Sequence, residues 1–532
     1  MTGRPDHVMT IRTGAAGLLL AGALVALSGA GPFDAGHVLA AEAEKGSCAS
    51  IPLAEPTRLC KGKLTLDSAI PPGLAQDLST IGISKKTGSR MVDCFAWESF
   101  VALNWPNVRQ CRGKPSGNKA AADDWTSKRV WETYKEPYEL FQATDATWDP
   151  SSLTFDDPAP EGACGGVSNG NKLLRHSGKF PLLFEDAQAF LSTAVLTDQQ
   201  GNTVWYEVLM NRDSFDYIRD SGLATTGNYS FGGPVDDAAI VDFPTGENGA
   251  TGAGTIEIKA AWRQMASDDD LSRYFTQDAV IYDGTDCEDV TVGLVGLHIA
   301  RKVANSPKWI WATFEHEDNV PPAGRNGDGR SYNFFSKYCA RNEPADCSRQ
   351  VAIVDTDDIC CPNLITYPSP DPALSINQVT RITPIQASSK INKRYRKAYA
   401  KAGSPFRYFM LVGAQWAKPR VAAAETNAAP TASRSMPPQA YHTGELFPDD
   451  SWKRPCNPNG AWAVQPPDAG EACYEQIPYD LRNTSMETLI VQTDKTGTQY
   501  SADSCMNCHF AGGVDGSYLW LDAMLNPYEI DD

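Results

Sequence analysis

The residues best suited to chemistry lie close to the end of the chain, in the pentapeptide Cys505-Met506-Asn507-Cys508-His509. Two thiols separated by two residues, with an imidazole directly after the second, form the C-x-x-C-H pattern of covalent haem attachment. Each residue type has a task. The thiols add across the porphyrin vinyl groups as thioethers, and the imidazole coordinates iron from one side of the ring. On a helix, positions i, i+3 and i+4 share a face, so Cys505, Cys508 and His509 would project towards one macrocycle. With 14 Cys and 7 His in 532 residues, random placement gives about 0.005 such matches, so the spacing carries information. A structural zinc site would want a second Cys/His pair at short spacing, and a redox dithiol would prefer a strand-to-helix junction; the sequence offers neither. One covalent haem c is the expected cofactor, with Cys505 and Cys508 as its attachment points and His509 as the iron ligand.

Around this motif the sequence predicts a mainly helical C-terminal segment, residues 440–532. Gly512-Gly513 would end the haem-bearing helix, and Ser517 could cap a short helix over 518–525 that stops before Pro527. Upstream, residues 417–439 are rich in Ala, Pro, Thr and Ser and read as a linker. The large region before it, 45–416, mixes both periodicities and is expected to be α+β with an antiparallel sheet. Residues 93–105 predict a buried helix ending at Pro106. Residues 194–196 and 203–210 predict a hairpin, 214–220 a helix stopped by Gly222, and 254–262 a half-buried strand. Residues 290–300 and 308–314 predict a second hairpin, whose first strand is apolar on both faces and so belongs inside a doubly covered sheet.

The N-terminus supplies a compartment. Arg4 and Arg12 precede an apolar run over 14–27 and then small residues, the plan of a secretory signal peptide within residues 1–40, cleaved after Ala30 or Ala40. The run is short for a bilayer span, so no stable membrane insertion is expected after cleavage, and the protein is expected to be periplasmic or otherwise exported. Outside the pentapeptide, twelve cysteines remain, which in an exported chain read as disulfides. Short loops make Cys48 with Cys60, Cys339 with Cys347, and Cys456 with Cys473 the natural pairs, while Cys360 and Cys361 would bond to separate partners. The net charge of −18 disfavours nucleic acid and anionic lipid and favours a redox partner protein with a basic docking surface.

Residues 505–509 resemble the attachment site of c-type cytochromes, and that resemblance implies the same roles for Cys505, Cys508 and His509. The stretches 97–106 and 292–319 also resemble exported bacterial proteins grouped as cytochrome c family proteins. In the common small class the attachment site opens the domain and a methionine ligand follows much later; here the motif is nearly the last thing in the chain. Some cytochromes with a late attachment site leave iron five-coordinate. The distal ligand therefore stays open among Met436, which precedes Pro437-Pro438, Met486, Met524, His442 and none. Met506 sits one position off the haem-facing side.

Other constellations are weaker. His298, in the doubly apolar strand, is expected to be a core histidine. His316, among Glu315, Glu317 and Asp318, could hold a cation but is expected at a solvated strand end. Asn326 and Asp328 hint at a calcium loop without the EF-hand spacing. No H-E-x-x-H or phosphate-binding glycine loop occurs. The function these features predict is electron transfer by an exported monohaem cytochrome. The alternative is a haem-dependent periplasmic oxidoreductase, peroxidase- or oxygenase-like, whose large region shapes a substrate pocket, because a carrier needs no such bulk.

Overall fold

The stretch from 290 to 300 of the computed structural model lies in the longest strand among the described residues, and the main sheet is organised around it. The structure describes residues 48, 50–78, 85–108, 111–117, 127–141, 146–149, 172–175, 196–224, 229–230, 233–234, 242–246, 249–282, 286–306, 309–322, 330–335, 364–368, 375–379, 381, 384–419, 474–476, 481–487, 491–493, 499–501, 517 and 519. In chain order the elements are α1 (Lys85–Leu103), α2 (Tyr138–Phe141), β1 (Lys172–Leu174), β2 (Val204–Met210), α3 (Arg212–Asp220), β3 (Tyr229–Ser230) and β4 (Gly233–Pro234). They continue with β5 (Thr255–Gln264), β6 (Thr276–Tyr282), β7 (Cys287–Lys302), β8 (Ile310–His316), β9 (Leu364–Pro368), β10 (Ser375–Val379), α4 (Ser389–Lys401), β11 (Phe409–Pro419), β12 (Tyr474–Gln476), β13 (Val491–Thr493) and β14 (Gln499–Ser501).

Strand β7 is long enough to serve three neighbours. Gly293 pairs at once with Arg263 of β5 and Thr276 of β6, and Gly296 with Ala261 of β5 and Glu315 of β8, so β6 and β8 follow one another along the edge opposite β5. Beyond β5 lies β2, beyond β8 lie β11 and β12, and all these pairings are antiparallel. β1 adds to β6 in parallel, making the eight-stranded sheet mixed. The fold class is α+β, as the sequence predicts. The remaining strands form two-stranded ribbons, β3 with β4, β9 with β10 and β13 with β14.

Local sequence explains the elements near the core. The helix expected over 93–105 begins eight residues earlier and is buried nearly all round through Val92, Phe95, Trp97, Phe100 and Leu103. Its end is fixed where the Asn104 side chain donates back to the Phe100 carbonyl, 2.8 Å, just before Pro106. α3 starts where the Asn211 side chain accepts from Ser214 N–H and stops at Gly222, whose φ of 68° a glycine adopts without a Cβ clash. The 290–300/308–314 hairpin is present as β7 and β8. Of the 194–210 hairpin the described residues hold one bridge, Thr197 to Thr203, and β2 pairs with β5.

Helices α1 and α4 pack over the β8–β11 part of the sheet. Trp97 stacks face to face on Tyr395, 5.0 Å between centroids, and meets Phe314 edge-on, also at 5.0 Å. Its indole N–H donates to Asn392, whose amide in turn exchanges hydrogen bonds with the Leu411 backbone of β11.

The disulfides correct one expectation. Cys48 bonds to Cys111 and Cys60 to Cys94, in place of Cys48 with Cys60. Loop closure favours near neighbours only among flexible chains; here the rigid α1 carries Cys94 to the segment around residue 60. The other pairs proposed from sequence lie outside the described residues.

Two pieces of the C-terminal segment belong to this sheet. β12 pairs with residues 417–419, so the first three residues of the Ala/Pro-rich stretch are strand. Residues 481–487 form a buried turn against β7 and β8.

Candidate functional site

The turn at 481–487 is polar in sequence yet almost wholly buried: Asn483 and Ser485 are 0% exposed. Burial of that kind requires partners for each polar group, and the sheet supplies them. The Asn483 amide donates to Thr313 Oγ1 (2.9 Å) and the Phe314 carbonyl (2.7 Å), while its oxygen accepts from the Ser485 N–H and hydroxyl. Thr484 donates through its N–H and hydroxyl to Glu315, a fully buried carboxylate that also pairs with Arg381. Burial lowers the Arg381 guanidinium to about 10. The Tyr206 hydroxyl donates to the Ser485 carbonyl at 2.7 Å, and Glu487 lies 3.2 Å from His298 Nε2.

This turn is one of two buried anchors that flank the C-x-x-C-H pentapeptide in sequence. The second is downstream, where Ser517 and Leu519 are each 1% exposed and Leu519 joins the main core. Cys505, Cys508 and His509 themselves, and with them Met436, His442 and Met524, lie outside the described residues. Of the distal-ligand candidates, Met486 is described. It is 0% exposed and packs among Val204, Tyr206, Ala261 and Val295, the environment of a core methionine.

The cluster at the end of β8 departs from expectation. His316 is 0% exposed, not at a solvated strand end, and its ring stacks on Tyr274 with centroids 4.4 Å apart. Nε2 lies 3.0 Å from the Arg273 carbonyl and Nδ1 accepts from Asp318 N–H at 3.1 Å, which fixes a neutral tautomer with the proton on Nε2. Burial lowers its pKa to about 4. The neighbouring acids do not converge on a cation: Glu315 turns to Arg381, Asp318 pairs with Arg273, and Glu317 with Arg273 and Arg396. Among the described residues no group of His, Cys, Asp or Glu could hold a metal ion. His298, expected in the core, is half-buried at the Glu487 contact. Asn326 and Asp328 lie outside the described residues.

A second ionic cluster escaped the sequence reading because its members come from four separate segments. Lys172 Nζ contacts both carboxylate oxygens of Glu207 at 2.8 Å and lies 3.7 Å from Glu132. The ammonium also sits over the rings of Trp131 and Trp262, at 5.5 and 5.1 Å. Trp262 N–H donates to Glu207, and Glu132 accepts the Arg129 N–H. Burial raises the Glu132 pKa, with Lys172 opposing it, so this carboxyl holds a proton more tightly than an exposed one.

No protein-family model matches this chain, and comparison with curated proteins and with solved structures returns no match. No helix among the described residues is long and apolar enough to cross a membrane.

Proposed function

We propose that the chain is an exported monohaem c-type cytochrome that takes part in electron transfer, with haem c on Cys505 and Cys508 and His509 as an iron ligand. The observation that carries this reading is the pentapeptide itself, whose two thiols and imidazole are the donor set that haem c uses. Bound haem would supply a one-electron ferric/ferrous couple. The chain's part is to hold that group. Ser517, eight residues past His509, is buried against the core, and eight residues span at most about 28 Å. The pentapeptide is therefore kept on a short tether to the α+β body, in a segment whose described elements are the strands β12, β13 and β14.

The cysteines support an oxidising compartment. All five described cysteines, Cys48, Cys60, Cys94, Cys111 and Cys287, are disulfide-bonded. An export signal within residues 1–40 fits that chemistry, and a periplasmic setting follows from both. The excess of acidic residues, net −18, would steer a basic redox partner towards most of the surface.

The test is expression of the full chain with an export signal in cells competent for c-type haem maturation. Periplasmic protein that keeps a haem stain through denaturing electrophoresis, at one haem per chain, supports the proposal. Purified periplasmic chain without covalent haem rejects it.

A further inference from the structure

Helix α4 reads Ser-Lys-Ile-Asn-Lys-Arg-Tyr-Arg-Lys-Ala-Tyr-Ala-Lys and contains no acidic residue. On a chain with 65 Asp and Glu against 47 Lys and Arg, this is a local inversion of charge. Its apolar side, Ile391, Tyr395 and Tyr399, is buried against α1 and the sheet. Lys390, Lys393, Lys397 and Lys401 are all exposed. Their spacing of three, four and four residues puts them in one stripe on the solvent side, about 16 Å long at 1.5 Å per residue.

A second segment widens the stripe. Arg394, beside the lysines, donates to the carbonyls of Cys60 and Gly62, which clamps the loop carrying exposed Lys61 and Lys63 against α4. The Cys60–Cys94 disulfide fixes the same loop to α1. Six ammonium groups thus share one rigid face, and among the described residues none of them has an ion-pair partner. The acids of the loop's neighbourhood are Glu55 and Asp67, both exposed, and Glu98, which accepts from Thr57.

We propose that this face docks an acidic protein, through contacts between its six lysines and a cluster of partner carboxylates. Charge distribution favours an acidic protein over an anionic membrane: a carboxylate cluster can meet the α4 face alone, whereas an extended phosphate surface would also face the rest of a chain of net charge −18. Lysine is a hydrated point charge, and the one arginine central to this face spends its fork on backbone carbonyls, so recognition is by charge rather than by bidentate pairing. The stripe is lysine-rich without an apolar anchor; the exposed large apolar residues among those described are Leu53 and Leu271, outside α4. Binding would therefore be fast, transient and salt-sensitive, since exposed charges are screened beyond about 8 Å at physiological ionic strength. The face makes no use of haem. It complements the electron-transfer reading by giving the molecule two surfaces of opposite sign, one for each of two partners.

The probe is a fluorescently labelled poly-L-glutamate of about twenty residues, titrated with the full chain as purified at low and at physiological salt. A chain of net charge −18 should repel such a polymer unless the α4 face acts locally. Binding that weakens with salt, falls at least about tenfold in a Lys390→Gln, Lys393→Gln, Lys397→Gln, Lys401→Gln variant, and survives when the same four become Arg, supports the proposal. No binding by the wild type, or binding indifferent to the Gln variant, overturns it. Lysine-dependent capture by vesicles of phosphatidylglycerol and phosphatidylcholine, without capture of poly-glutamate, overturns it in favour of a membrane. Loss of the haem reading would leave every one of these outcomes interpretable.

Discussion

Lys172 of β1 and Glu207 of β2 meet through two contacts of 2.8 Å, although their strands stand at opposite ends of the hydrogen-bonded path β1-β6-β7-β5-β2. The sheet must therefore curl until its edges face each other, and the ion pair closes the gap that backbone pairing leaves. The ammonium also lies over the rings of Trp131 and Trp262, both fully buried, so the pair is a structural bolt in a dry setting.

Breaking that bolt on one side is expected to be costly, because the surviving charge stays buried. Lys172→Met should lower stability by about 3–5 kcal/mol, and adding Glu207→Gln, which keeps an acceptor for Trp262 N–H, should recover part of the loss. Denaturant midpoints measure both. A single variant within about 1 kcal/mol of wild type would show that the pair holds nothing together.

Asp93 gives a pH dependence with a definite sign. It sits on α1, accepts the Ser388 N–H at the start of α4, and is pushed up from 3.8 to about 7 by burial, against that hydrogen bond. Between those values the unfolded chain has lost the proton and the folded one keeps it, so the native state binds more protons and stability falls as pH rises. The contribution is fully present below 3.8 and lost by the time pH passes 7, a change of about 4 kcal/mol at most. Asp93→Asn should flatten the stability profile across that window; an unchanged profile would remove Asp93 as its source.

Two disulfides among the described residues close loops of 63 residues (Cys48–Cys111) and 34 residues (Cys60–Cys94). Loop-closure entropy assigns each about 4 kcal/mol. Reductant should therefore lower the melting temperature sharply. Cys60→Ala with Cys94→Ala should also loosen the lysine-bearing loop, seen as faster amide exchange over 58–64.

The anchor at 481–487 should depend on Asn483, which satisfies four polar contacts from one side chain. Asn483→Ala strands the Phe314 carbonyl and Thr313 hydroxyl without this donor, a loss of about 2–3 kcal/mol. Gly296→Ala should have a similar effect by a different route, since a Cβ there collides with the Ser485 hydroxyl. Amide exchange across 481–487 that stays slow in both variants would refute the anchoring role.

Several elements were legible in sequence because one local signal sufficed. The double-faced apolar run at 290–300 dictates a buried strand, and Asn211 with Gly222 brackets α3. The charged neighbours of His316 misled, because solvation seemed their natural fate; the arginines that neutralise them, Arg273, Arg381 and Arg396, lie 44 to 79 residues from their partners in sequence. The turn at 481–487 was illegible for a related reason, since Asn, Thr and Ser are buried only where a distant strand happens to present matching groups. The proposed haem attachment is the opposite case: a porphyrin would fix the spacing of its thiols and imidazole, so that proposal rests on five consecutive residues without reference to the fold.

The central claim is tested most directly by haem retention in the full chain with and without Cys505→Ala and Cys508→Ala, read by haem stain after denaturing electrophoresis and by the reduced absorption spectrum. The account predicts one covalent haem in the wild type and none in the double variant, with the disulfide-bonded α+β body still folded. Wild-type protein that matures in the periplasm without covalent haem, or haem that stays covalently bound in the double variant, would contradict it.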